Sequence, residues 1–187
     1  MVFVRDDLPR RRLVEIEINQ KGIETICLEI TIGSQKTVFA CVYKHPFLAL
    51  STFKDNMCSL IDRLFQISSD VCVFGDSNCC PKRTNVIKDL CDMYGLHNLI
   101  TKPTCFKGEP TAIDVILVSN KNKFCGTLNC ESHVSDFHSW IGASTRRFAP
   151  SQKPSRVNYR FYKKFDENAY CSDILSAPFL FVKSSMT

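Results

Sequence analysis

VCVFGDSNCC, residues 71–80, is an apolar run that stops abruptly on a glycine, an acid and an amide. Val71 to Phe74 suit a short strand covered on both faces. Gly75 permits a sharp turn at the strand end. Asp76 and Asn78 are two positions apart, so they point the same way if the backbone stays extended. A carboxylate and an amide would then share one spot at the carboxyl edge of a sheet, where α/β proteins place their ligands. Gly, Asp, Ser and Asn are also the commonest turn formers, and the tetrapeptide by itself reads first as a turn. The segments on either side decide between the two.

Upstream, the first forty-five residues read as strands: Val2 to Val4, Leu13 to Ile18, Thr25 to Ile32 and Thr37 to Tyr43. Gly33-Ser34-Gln35 supplies a turn between the last two, which predicts a hairpin, and His45-Pro46 ends it. Phe53, Met57, Leu60, Ile61 and Leu64 then repeat at the spacing of one buried helix face. Downstream of the opening motif, Thr84 is a candidate N-cap for a second helix. Val86, Ile87, Leu90 and Cys91 turn inward along that helix, and Gly95 lies just past its end. Ile113 to Val118 is a further apolar run, and Lys123 to Asn129 and Ser139 to Ala143 are weaker strand candidates. Pro150 and Pro154 mark a linker, and YKKFDENAYCSDIL (162–175) predicts a short amphipathic helix. Strands alternating with helices, plus hairpins, argue an α/β protein with a mixed sheet.

The totals fit one domain with a tail: 187 residues, 44% hydrophobic, net charge +5. No apolar stretch approaches the roughly 18 residues of a membrane helix, and MVFVRDDLPRRR lacks the layout of a signal peptide. Eleven cysteines are scattered without a CxxC, several inside apolar runs. They read as reduced thiols of an intracellular protein. Arg10 to Arg12 form one basic knot. A second basic stretch, Arg146, Arg147, Lys153, Arg156, Arg160, Lys163 and Lys164, interleaves with Phe148, Tyr159, Phe161 and Tyr162. Cations among aromatics suit a polyanion with stackable bases, and a solvated linker equally well.

Two further segments end or begin strands on an acid. PTAIDVILVS (110–119) sets Asp114 at the start of an apolar run, and HVSDFHSW (133–140) sets Asp136 between His133 and His138. Three acids at three strand ends are what a metal-assisted phosphodiesterase needs, because a hard divalent cation binds carboxylate oxygens. The order of motifs is more specific. Tyr43 in VYKHP, then GDSN, then PTAIDVIL, then SDFH resembles the carboxyl-terminal part of the endonuclease/exonuclease/phosphatase family. More narrowly it is similar to the apurinic-type endonuclease domain of non-LTR retrotransposons, with VRDDL (4–8), GDSNCC (75–80) and YRFYKKFDENAY (159–170) adding to the likeness.

That resemblance implies a four-layer α/β/β/α sandwich with mixed sheets over residues 1–145, followed by a basic linker and short helix over 146–187. It implies hydrolysis of DNA phosphodiesters with Mg2+, in the nucleus if the target is chromosomal, with no membrane and no small-molecule cofactor. By motif, Asp76 would orient or deprotonate the attacking water, Asn78 would help hold that water and the phosphate, and Tyr43 would donate to a phosphate oxygen. Asp136 would lie near the metal, and Asp114 would orient the histidine that follows it, taken as His138. Arg146, Arg147, Lys153 and Arg156 are candidate nucleic-acid contacts.

Two departures accompany the likeness. An asparagine ending the first strand and a metal-binding glutamate are expected upstream; Glu15 and Glu17 come too late in the order, so the chain reads as amino-terminally truncated. Phe137 stands where the histidine should follow Asp136, so His138 reaches the site from a rearranged loop or Phe137 has replaced the catalytic group. Together they predict an inactive or very slow enzyme. Two alternatives stay open. One is a non-catalytic remnant that at most binds nucleic acid. The other, weaker, is a zinc module built on Cys125, Cys130, His133 and His138.

Overall fold

The computed structural model describes residues 2–132, 137–145 and 166–176. The chain divides into two compact units, Met1–Pro150 and Ser151–Thr187, each taken by itself below.

The first unit is built on a seven-stranded mixed sheet. Its strands are β1 (Arg10–Arg12), β2 (Asn19–Gln20), β3 (Ile23–Ile32), β4 (Gln35–Lys44), β5 (Val71–Asp76), β6 (His97–Asn98) and β7 (Asp114–Val118). They run in the order β1-β3-β4-β5-β7-β6, with β2 beside β3. The β3–β4 hairpin closes through Gly33 and Ser34, with Ile32 opposite Gln35, and Gly33 takes the left-handed conformation a tight hairpin turn requires. β4 and β5 are parallel, so a crossover must join them, and α1 (Leu50–Ile67) supplies it. Phe53, Met57, Leu60, Ile61 and Leu64 are all buried, the face the spacing predicts. Each such side chain, fully removed from water, contributes about 1.5–3 kcal/mol.

α2 (Val86–Tyr94) packs beside α1 over the same sheet face, burying Val86 and Leu90 against one core with Val38, Ala40, Val71 and Val73. Thr84 Oγ1 accepts the Val86 N–H, and Gly95 at φ 64° ends the helix in the left-handed conformation. The opposite face of the sheet carries Phe39, Cys72, Phe74, Ile116 and Val118. A two-stranded ribbon, β8 (Phe124–Cys130) with β9 (Trp140–Thr145), lies on it through Phe124, Ile141 and Ala143. Helices, mixed sheet and second, smaller sheet are thus stacked, three of the four layers of the expected sandwich among the described residues.

Two amino-terminal expectations fail. Leu13 to Ile18 is not a strand but carries a 3-10 turn, Val14–Ile16. Leu13 and Ile16, three apart, are both buried while Val14 is exposed, which fits a three-residue period rather than alternation. Val2 to Val4 form no strand either. The place beside β3 is taken by the Arg10–Arg12 knot, which pairs with Leu28 to Ile30. Three exposed arginines on an edge strand also discourage pairing with another chain.

In the second unit, α3 (Glu167–Ser176) is the described element, within the segment that predicted a helix. Asp166 Oδ1 accepts the Ala169 N–H at 3.0 Å, an N-cap bond to the third residue of the helix.

Candidate active site

The sheet register brings three of the sequence-predicted residues into one row. Tyr43 at the end of β4 lies beside Asp76 at the end of β5, and Asp76 lies opposite Asp114 at the start of β7. Neighbours in register share a face. These three follow the parity of Phe39, Phe74 and Ile116, and so stand on the ribbon side of the sheet. The ends of β8 and β9 lie along this edge as well, since Asn129 Nδ2 donates to the Pro103 carbonyl at 2.8 Å and Ser139 N–H to the Thr104 carbonyl at 2.8 Å.

Gly75 lets β5 deliver Asp76 there. Its φ is 138°, and a Cβ built on it would fall 2.0 Å from the Val42 carbonyl oxygen. Three residues later the strand has ended, with Asn78 at φ 47°. Asn78 is locked by three bonds: its N–H to Asp76 Oδ1 (2.9 Å), and its Nδ2 to Asp76 Oδ2 (3.1 Å) and to the Lys44 carbonyl (2.8 Å). Both readings of the GDSN segment therefore hold at once: it is a turn, and the turn clamps the amide onto the carboxylate. Ser77 faces the other way, its hydroxyl on the Ile113 carbonyl at 2.6 Å, which ties the turn to the entrance of β7.

His138 Nδ1 lies 3.1 Å from Asp114 Oδ2. One ligand atom from each of Asp76, Asp114 and His138 falls within 4.8 Å of the others, all three half-buried. His138 thus lies beside Asp114 although Phe137 stands between it and position 136 in the chain. Burial pushes the Asp76 carboxyl above its usual range, opposed by the Asn78 N–H and reinforced by the nearby Asp114 charge. Two carboxylates and an imidazole at this spacing fit a divalent cation. Asp136 lies outside the described residues, as do His133, Arg146, Arg147, Lys153 and Arg156.

No protein-family model matches the chain, and no curated protein sequence does. Solved structures do match. The endonuclease domain of TRAS1, a telomere-specific non-LTR retrotransposon, superposes with a TM-score of 0.62 at 17% identity, over 75% of this chain and 68% of that one. An endonuclease/exonuclease/phosphatase family protein of Leptotrichia buccalis gives 0.51 at 13%, over 75% and 61%. The 3′ phosphatase NExo of Neisseria, bound to a product DNA hairpin, gives 0.50 at 14%, over 76% and 71%. The chain has the endonuclease/exonuclease/phosphatase fold.

On this fold the residue that sequence reasoning missed is Thr104. Fully buried, its hydroxyl accepts the N–H groups of both Ile113 (3.2 Å) and Asp114 (3.1 Å), and its carbonyl accepts the N–H of Ser139. Cys105 beside it forms a bridge to His138. Thr104-Cys105 is therefore the bracket that carries both members of the Asp114–His138 pair. A lone threonine after proline gave no signal of it.

The later acids take no part. Glu15 is exposed, and Glu17 is held by Arg12 and the Cys27 N–H away from this edge. The zinc alternative also loses its frame. Cys125 lies at the start of β8 against Ser144 and Cys130 at its far end, roughly 15 Å of strand apart, and the metal-competent group among the described residues includes neither. All eleven cysteines are free thiols. No helix among the described residues is long and apolar enough to cross a membrane.

Proposed function

We propose that this chain is a phosphodiesterase of the nuclease type acting on DNA with a divalent cation, Mg2+ in the first instance. The observation that carries the reading is the register row Asp76–Asp114 with His138 seated on Asp114. Asp76, clamped by Asn78, is placed to orient or take a proton from the attacking water, and Asn78 to steady that water and a phosphate oxygen. His138, oriented by Asp114, donates to the negative charge that builds on phosphorus, and Tyr43 on the adjoining strand donates to another oxygen. A bound cation would supply Lewis-acid stabilisation of the same charge, held by Asp76 with Asp136, while Asp114 is engaged in orienting His138.

Asp76 and Asp114 are the two carboxylates in the group, and cation affinity rises with ligand number and charge. Turnover is accordingly slow. The same count favours a second reading, in which the edge binds nucleic acid without cleaving it. Arg146, Arg147, Lys153 and Arg156 would add phosphate contacts in either case. The two are separated by following binding and cleavage of one labelled DNA duplex with and without Mg2+. Mg2+-dependent cleavage supports the first reading; binding without cleavage supports the second.

A further inference from the structure

A groove of about 670 Å³ lies between α2 and the β6 edge of the sheet, and it shares no residue with the Asp76–Asp114–His138 group. Its volume falls within the roughly 300–1,000 Å³ of small-ligand sites. Leu96, Ile100 and Val115, all buried, line it together with the half-buried Ile87 and Cys91 of α2. Three basic side chains stand around this apolar lining: Lys88 on α2, His97 on β6, and Lys121 beyond β7. Among the described residues no carboxylate lines the groove. Lys121 makes no ion pair among the described residues. Lys88 meets Asp92 at 3.0 Å, an exposed pair of the kind that binds its partner weakly.

An aliphatic lining gains most from contact with an alkyl chain, and cations without an acid among them favour a negative charge at the end of that chain. Two other occupants fit worse. No phenylalanine, tyrosine or tryptophan lines the groove, so a nucleobase has no large ring to stack on. An extended peptide would pair with β6, which is last in the sheet, but the Asn98 N–H is already given to the Cys91 thiol. We propose that this groove binds a small amphipathic anion, an aliphatic carboxylate, with its chain against Leu96, Ile100 and Val115 and its carboxylate at Lys121. The site goes beyond the phosphodiesterase reading and does not rest on it.

Isothermal titration calorimetry of the full chain with dodecanoate, kept below its micelle concentration, tests the site. Dodecanoate should bind once per chain. Decanoate should bind roughly ten-fold more weakly for its two missing methylenes. Dodecyltrimethylammonium, the same chain with the opposite charge, should also bind at least about ten-fold more weakly. Lys121→Glu should weaken dodecanoate by about ten-fold and narrow its advantage over the cation. Thr101→Trp should fill the groove and abolish binding of both. Thr101 and Lys121 are exposed, so both variants should fold, and thermal denaturation checks this. Equal affinity for the two head groups, or dodecanoate binding unchanged in both variants, overturns the proposal. So does binding of a peptide of leucine and glutamate where dodecanoate fails. No DNA enters the experiment, so its outcome is separate from that of the hydrolase reading.

Discussion

Asp114 Oδ2 and His138 Nδ1, twenty-four residues apart in the chain, meet at 3.1 Å, so the carboxylate is placed to orient the imidazole. His138→Ala should lower the rate of DNA nicking roughly 10²–10³-fold, the usual loss when one preorganised donor is removed. Asp114→Ala should cost a similar factor, and the double variant little more than the worse single one. Rate constants for the four proteins give the answer. Losses that multiply would mean that Asp114 acts independently, as a metal ligand.

Thr104 gives a second prediction. Valine keeps the shape of threonine but leaves the Ile113 and Asp114 N–H groups without their acceptor. Each orphaned buried donor costs about 1–3 kcal/mol. Thr104→Val should therefore lose at least about 2 kcal/mol, a fall of roughly 4–8 °C in Tm for a chain of this size. Thr104→Ser should recover most of it. Thermal denaturation of both variants checks the pair, and a valine variant as stable as the parent would remove Thr104 from the bracket.

Gly75 is tested by the smallest addition. Alanine there would drive its Cβ into the Val42 carbonyl from a φ that L residues rarely adopt. Strain of this kind costs about 3 kcal/mol or more, so Gly75→Ala should fold poorly, where Gly33→Ala, with nothing within 4 Å of its added Cβ, meets no such clash. Denaturant midpoints of the two variants distinguish a packing requirement from a general glycine effect.

Glu17 sets a pH dependence. Its side chain is 1% exposed, and the Arg12 guanidinium, followed by the Cys27 N–H, holds its carboxyl below the usual range against the opposing effect of burial. A carboxyl depressed in the folded state binds its proton more readily when unfolded. Its contribution is therefore complete above the unfolded value of about 4.3 and lost as pH falls through the folded value. Glu17→Gln should be less stable than the parent at pH 7, and the difference should close as pH drops from about 4.3. Urea midpoints measured between pH 7 and pH 3 test this; a gap that widened on acidification would contradict the assignment.

The buried face of α1 and the β3–β4 hairpin were legible because their spacings and turn glycine leave few alternatives. Asp76, Asn78 and Asp114 were legible as acids and amides at the ends of apolar runs. What joins them was not. The pairing of His138 with Asp114 depends on the Cys105 bridge and the Thr104 carbonyl, contacts between segments more than thirty residues apart, and residue spacing carries no trace of them. The Arg10–Arg12 strand was hidden for another reason: all three side chains are exposed, so no alternation marks it. The spacing of Val14–Ile16 suggests a strand because Val14, Ile16 and Ile18 happen to alternate with Glu15 and Glu17.

The central claim, that Asp76, Asp114 and His138 form a hydrolytic centre, is tested most directly by nicking of supercoiled plasmid in Mg2+ by the chain, Asp76→Ala and His138→Ala. The prediction is slow conversion to open circles by the chain, stopped by EDTA and reduced to background in both variants. Conversion by Asp76→Ala at the parent rate would contradict it, because the carboxylate at the centre of the row would then have no part in the reaction.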